Sequence, residues 1–251
     1  MSQALFDLTG RRALVTGSGQ GIGLALAKGL AAAGAAVILN GRDAAKLEKA
    51  KAQIPGATAH VFDVTDTAAV KAGIDRIETE EGPIDILVNN AGIQRRAPLD
   101  EMPAETWREV MATNLDAVFY VGKEVARRMI PRGRGKIINI CSLMSEVGRA
   151  TIAPYTAAKG AVKQLTRGMC ADWARHGLQI NGIGPGYFKT EMNTALIQNP
   201  EFNAWVEKRT PAGRWGEVEE LQGVCIFLAS DASSYVNGQV IYIDGGMLAV
   251  L

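Results

Sequence analysis

A phenol and an ammonium stand four residues apart in SLMSEVGRATIAPYTAAKGA, residues 142–161: Tyr155 and Lys159, with the hydroxyl of Ser142 thirteen residues before the tyrosine. Positions i and i+4 share one face of a helix, so the two side chains can meet. Free tyrosine titrates at about 10, too high for an efficient base at neutral pH. A neighbouring ammonium favours the phenolate and is expected to lower that value. Tyr155 can then pass a proton to or from a substrate oxygen. Ser142 follows the Ile-rich run Gly135–Cys141, which reads as a strand. Ligands of open α/β sheets bind beyond the carboxyl ends of strands, so this hydroxyl is expected to orient the same oxygen and hold its developing charge. Spacing alone equally describes a surface pair on an amphipathic helix, so the rest of the chain must decide.

The stretch LVTGSGQGIGLALAKGLAAAGAAVILNGRD, from Leu14 to Asp43, reads as strand, glycine loop, helix and second strand. Gly17, Gly21 and Gly23 allow a tight turn and let backbone N–H groups approach a pyrophosphate in front of a helix N-terminus. A tight turn that binds nothing is the plain alternative. The end of the second strand selects the nucleotide. An acid there binds the ribose 2′-hydroxyl of NAD, whereas an arginine accommodates a 2′-phosphate. Here Gly41 takes the acid's place and Arg42 follows, which favours NADP(H). Asp43 precedes AAKLEKA and reads as a helix N-cap. Gln20 leaves the loop without a second basic partner, so use of NAD stays open.

The 251 residues carry a formal net charge of +1, with 47% hydrophobic and 21% charged residues. That balance is ordinary for a globular protein and supplies no global attraction to nucleic acid or membrane. Three cysteines, Cys141, Cys170 and Cys225, match neither a disulfide framework nor a zinc site, and suggest a reduced, cytoplasmic setting. The N-terminus does not read as a secretory signal, and no apolar run is long enough to span a bilayer. His60 and His176 show no metal-ligand spacing, so no metal is expected. Seven short runs read as strands: Arg12–Thr16, Ala36–Asn40, Ala57–Phe62, Ile84–Asn89, Gly135–Cys141, Leu178–Ile183 and Val240–Ile243. Helices are expected at Ile22–Ala33, Ala44–Gln53, Thr67–Glu80, Ala104–Met129, Ala153–Arg175 and Val218–Ala229. Strands apolar on both faces and alternating with helices predict one doubly wound Rossmann-type α/β domain over residues 1–251, with a central, mostly parallel seven-stranded sheet.

These motifs together resemble the short-chain dehydrogenase/reductase family over nearly the whole chain. TGSGQGIG resembles its cofactor loop, which implies nucleotide contacts from Gly17, Ser18, Gln20, Gly21, Ile22 and Gly23. DVTD resembles its adenine-contacting turn, implying Asp63 and Val64, and NNAG resembles its turn after the fourth strand, implying Asn90, Ala91 and Gly92. PGYFKT resembles a segment in which Pro185, Gly186 and Thr190 would meet the nicotinamide. The resemblance further implies a catalytic set of Asn114, Ser142, Tyr155 and Lys159, with Asn114 holding a relay water and Lys159 also binding the nicotinamide ribose. NGQVIYIDGG resembles a final strand used in tetramer packing. Longer phrases such as DILVNNAGIQRRAPL and HGLQINGIGPGYFKTEM resemble members acting on a sugar acid, D-gluconate or its 5-keto form.

An acidic sugar needs a cation. Arg95 and Arg96 follow the fourth strand and Arg149 lies between Ser142 and Tyr155; each is a candidate for the carboxylate, and Glu146 for sugar hydroxyls. Solvated loop arginines are the alternative. Tyr187–Trp215, which holds Phe202 and Trp205, lacks sheet rhythm and reads as a substrate lid or a packed insertion. Cys141 reads as a buried small hydrophobe. The run Arg127–Lys136 carries five cations and no acid. It reads as a solvated connection, although a reductase of acyl chains on an acidic carrier would need such a surface. A non-catalytic nucleotide sensor is the rival from a different class.

Overall fold

The computed structural model describes residues 3–251. Among them the seven expected strands all form, each within two residues of its expected ends: β1 (Arg12–Val15), β2 (Ala36–Gly41), β3 (Thr58–Val61), β4 (Ile86–Asn89), β5 (Gly135–Ile140), β6 (Leu178–Pro185) and β7 (Val240–Ile243). They make one sheet in the order β3-β2-β1-β4-β5-β6-β7, and every pairing is parallel. Side chains of a strand alternate between faces, and the core follows that period. Ala13 and Val15 pack with Leu26 and Leu30 of α1 (Gly21–Ala32), Leu47 of α2 (Ala44–Lys51) and Leu228 of α9 (Gln222–Ala229). Leu14, between them, packs on the opposite side with Ile74 of α3 (Thr67–Glu80), Val121 of α5 (Ala117–Arg132) and Val162 of α6 (Ala153–Trp173). Ile86, Leu87 and Val88 repeat the pattern in β4. Each fully buried Leu or Ile contributes about 1.5–3 kcal/mol.

The helix expected over Ala104–Met129 is two helices. α4 (Ala104–Met111) passes through a π-helical turn, Ala112–Asp116, into α5. An apolar period cannot reveal that break, because one extra residue in a turn leaves the stripe nearly intact. α5 also runs past Pro131 and stops at Gly133, whose φ of 67° is the left-handed cap that glycine accepts readily. Asp43 caps α2 by accepting from the Lys46 N–H at 3.0 Å. The stretch Tyr187–Trp215 holds α7 (Thr194–Ile197) and α8 (Pro200–Arg209), the latter capped by Asn199. Among the described residues no helix is long and apolar enough to cross a membrane.

The basic run is spent within the molecule. Arg127 and Arg128 pair with Glu124, Arg128 also with Asp75, Arg132 with Glu78, and Arg134 with Asp85. Lys136 is buried in β5 and donates to Ser233 Oγ at 3.2 Å.

Candidate active site

The chain reverses its spread across the sheet between β1 and β4, and a crevice opens at that switch point beyond the strands' carboxyl ends. The cleft there has a volume of about 320 Å³, near the lower end of the roughly 300–1,000 Å³ typical of small-molecule sites. It gathers residues from the ends of β1, β2, β4, β5 and β6, together with the α6 face and the first part of the 187–215 segment.

Its nucleotide end is built from backbone. Gly17 has a φ of 62°, and a Cβ there would lie 2.8 Å from the Ala91 Cα; a Cβ on Gly23 would lie 2.5 Å from the Gly17 carbonyl oxygen. The loop is therefore closed to side chains at these two positions. Gln20, the N-cap of α1, makes no side-chain cap bond, so the first N–H groups of α1 have no capping side chain. Asn90 fastens the loop from β4, donating through Nδ2 to the carbonyls of Thr16 and Gly17 at 2.9 and 3.0 Å. Thr16 Oγ1 in turn accepts from the N–H groups of Asn90 and Ala91. This geometry fits a pyrophosphate. Arg42, largely exposed at the end of β2, reaches Asp63 at 3.4 Å. Asp63 also accepts from the N–H and hydroxyl of Thr65. Its pKa lies below the ordinary carboxylate value: burial pushes it up, but the Thr65 bonds and the Arg42 cation together outweigh that.

Ser142, Tyr155 and Lys159 come together on the cleft wall. Ser142 leaves β5 in extended conformation and caps the short turn Leu143–Ser145, accepting from the Met144 N–H at 3.1 Å. Ser145 Oγ accepts from the Ser142 N–H and donates to the Lys159 carbonyl at 2.8 Å, which ties the serine loop to α6. Lys159 is buried, donates to the Ile140 carbonyl at 2.5 Å and is drawn down to about 8 by that burial. Its Nζ lies 5.7 Å from the Tyr155 ring centroid.

The expected lowering of the Tyr155 pKa is not the net result. Burial raises it above the ordinary phenol value, Ser142 and the Arg149 cation pull against that rise, and the Cys141 sulfur adds to it. The Lys159 ammonium is bonded to a backbone carbonyl, and desolvation of the phenol dominates. Cys141 itself is buried, and its thiol is pushed up to about 11 by desolvation.

Asn114 sits in the π-turn and is fully buried. Its Nδ2 donates to the carbonyls of Ile93 and Val110, both at 2.9 Å, and its Oδ1 accepts from the Ile93 N–H. It thus clamps the segment after β4 to α4. Gly92 leaves room for that clamp, since a Cβ there would stand 2.7 Å from Asn114 Oδ1.

Most of the expected nucleotide contacts line the cleft: Gly17, Gln20, Gly21, Ile22, Gly23, Arg42, Asp63, Val64, Asn90, Ala91, Gly92, Pro185, Gly186 and Thr190. Ser18 does not. Its hydroxyl turns inward, donating to the Val15 carbonyl and accepting from the Asn40 N–H, and so braces the loop from behind. Two substrate candidates are engaged elsewhere. Arg95 makes a two-pronged pair with Glu109, at 2.7 and 3.1 Å, and Glu146 is held by Lys163 and the Tyr242 hydroxyl. Arg149 does line the cleft. Arg96 does not line it, although it lies near enough to Arg149 for burial and that cation to lower its pKa.

Sequence reading missed Tyr187, Glu191, Met192 and Leu196 on the cleft wall. The first follows Gly186 in PGYFKT and could have been inferred from the end of β6. The others sit on short helices that no periodicity marks.

A family profile described as enoyl-(acyl carrier protein) reductase matches residues 17–248. The chain is 61% identical to gluconate 5-dehydrogenase of Gluconobacter oxydans strain 621H, over 98% of both chains. It is 52% identical to 5-keto-D-gluconate 5-reductase of Escherichia coli K12, covering 98% of this chain and 99% of that one. The solved gluconate 5-dehydrogenase of Burkholderia cenocepacia J2315, in complex with NADP and tartrate, superposes with a TM-score of 0.97 at 56% identity over the full length of both chains. A parallel sheet with its crevice at the β1/β4 switch point, a glycine loop before α1, and these full-length likenesses lead to one conclusion: the chain belongs to the short-chain dehydrogenase/reductase family.

Proposed function

We propose that this protein is an NADP(H)-dependent oxidoreductase interconverting a secondary hydroxyl and a ketone on a sugar acid, D-gluconate and 5-keto-D-gluconate foremost. The observation that carries the reading is a single cleft in which Ser142, Tyr155 and Lys159 meet, with Arg42 beside the nucleotide loop and Arg149 near the phenol. The relatives named for gluconate and its 5-keto form support the substrate, and the solved relative's NADP and tartrate support the cofactor and a hydroxy-acid ligand.

The glycine loop and the N-terminus of α1 suit the pyrophosphate, Arg42 a 2′-phosphate, and Asp63 with Val64 the adenine. Pro185, Gly186 and Thr190 stand where the nicotinamide end would be held. When bound, the nicotinamide supplies or accepts the hydride. Ser142 holds the substrate oxygen. Tyr155 donates a proton to that oxygen in reduction and takes it back in oxidation. Lys159, buried and fixed from the Ile140 carbonyl, supplies an N–H donor for ribose hydroxyls. Asn114 keeps the segment after β4 in place and supports proton relay. Arg149 and Arg96 receive the carboxylate, whose charge relieves their mutual repulsion. The 187–215 segment acts as the lid over this chemistry.

The same reading places the protein in the cytoplasm as a homotetramer. Free Cys141, Cys170 and Cys225 suit a reducing compartment, and β7 is an edge strand half-buried along its length, open to subunit packing. Light scattering on the purified protein tests the assembly. The decisive assay follows NADPH consumption with 5-keto-D-gluconate and NADPH formation with D-gluconate. Nucleotide binding without turnover of any ketone would sink the enzymatic reading in favour of a sensor. Faster turnover of a 3-oxoacyl thioester on a carrier would favour the acyl reading, which the internally paired basic run does not support.

A further inference from the structure

Two loops bring like charges near each other, one of which, Arg149, acts on the phenol. The Ala97 N–H donates to the Thr151 carbonyl at 3.0 Å, which pins the segment after β4 to the segment before α6 and sets Arg96 opposite Arg149. Among the described residues, neither guanidinium is within ion-pair distance of a carboxylate, whereas Arg95 next door is paired to Glu109. What does hold Arg149 is aromatic. Its Cζ lies 5.1 Å from the Phe202 ring centroid and 6.0 Å from that of Tyr187, and Nη1 donates to the Tyr187 hydroxyl at 3.3 Å.

The rings are themselves fixed. Tyr187 meets Phe202, Trp205 and Trp215 edge-on at 5.7, 5.9 and 5.5 Å. Trp215 is buried and donates from Nε1 to Asn203 Oδ1 at 2.7 Å, which ties the cluster to α8. An aromatic face attracts a cation without neutralising it, so the guanidinium is oriented while its charge stays available to an anion.

We propose that Tyr187 and Phe202 are positioning residues that hold Arg149 ready for the substrate carboxylate, so that seating of α8 against Arg149 decides how well this enzyme binds acids. The proposal rests on the reading of the substrate as a sugar acid and adds how the acid is recognised. An unrestrained arginine must be ordered on binding, which costs affinity; a racked one is already ordered.

The test uses the full-length protein saturated with NADPH and tartrate as the probe acid, titrated by calorimetry, beside steady-state kinetics with D-gluconate and NADP. Phe202→Leu is expected to weaken tartrate binding about tenfold. The KM for D-gluconate should rise by a similar factor, with kcat changing less than about threefold and NADPH affinity unchanged. Phe202→Tyr, which keeps a ring face, should restore both acid affinities. Wild-type tartrate affinity in Phe202→Leu overturns the proposal. So does an equal loss of NADPH binding, which would mark Phe202 as a general support of the fold. If tartrate weakens as expected while the wild-type protein fails to turn over D-gluconate, the arginine rack stands and the choice of sugar acid falls.

Discussion

At the residue scale the phenol is the test of the chemistry. Tyr155→Phe removes one hydroxyl from a wall that Ser142 and α6 otherwise hold, so NADPH binding should persist while kcat falls about 10²–10⁴-fold, the usual range for a lost general acid–base. Wild-type turnover in stopped-flow or steady-state assays would contradict the role. Because burial raises the Tyr155 pKa, phenolate accumulates only above the ordinary tyrosine range. Oxidation should therefore keep climbing with pH through the alkaline side while reduction declines, as kcat/KM profiles in each direction would show. Arg42 is the residue proposed to select the nucleotide. Its pair with Asp63 is exposed and contributes little to stability. Arg42→Ala should weaken NADPH about 10–100-fold, the worth of a charge-assisted bond, and NADH less than about threefold. Equal losses, measured by fluorescence titration, would count against a 2′-phosphate contact. The Tyr–Lys spacing and the arginine after β2 were legible because each rests on residue type and position along one element. The net direction of the tyrosine's pKa was not, since burial decides it, and burial depends on what the fold packs around the ring.

At the element scale the informative feature is the π-turn between α4 and α5. Asn114 there bonds both Ile93 and Val110, so it ties the segment after β4 to α4. Gly92 is its counterpart. Gly92→Ala would put a methyl 2.7 Å from Asn114 Oδ1 and push the amide off its partners. We expect kcat to drop about tenfold or more and the melting temperature to fall with a cost of about 1–3 kcal/mol, the typical consequence of forcing a group into a packed site. Unchanged kcat with lowered stability would show that Asn114 only holds the fold. Strands were readable because both faces of the sheet are covered, which leaves short apolar runs such as AVIL in β2 and the Ile-rich KIINI in β5. The π-turn and the helices α7 and α8 were not readable: the first hides in a continuous apolar stripe, and the others are short, α8 being fixed by the Asn199 cap and aromatic contacts. The same limit explains the substrate residues. Arg95, Arg96 and Arg149 look alike in sequence, and only the fold shows that Glu109 already holds the first.

At the scale of the whole molecule, the sheet carries a buried cation remote from the cleft. Lys136, on β5, is drawn down to about 8 by desolvation, with Asp231 partly restoring it and Arg11 opposing. Below that value both folded and unfolded chains hold the proton, and folding must desolvate the charge. As pH rises from about 8 toward the ordinary 10.5, the folded chain binds fewer protons than the unfolded one, so this cost is relieved and stability gains. Lys136→Met should accordingly stabilise the protein at pH 7 by about 1 kcal/mol or more, with the advantage shrinking as the pH rises through that window in denaturant melts. A gain that stays constant with pH would assign the effect to packing. A different tension resides in Thr151. It is the one non-glycine residue among those described with positive φ, 69°, an uncomfortable posture for a β-branched side chain. Its carbonyl is the pin between the two arginine loops. Thr151→Gly or Thr151→Asn, which accept that posture, should therefore raise the melting temperature while keeping the main-chain bond to Ala97. One threonine thus bears the discomfort of the turn that holds the two loops to each other.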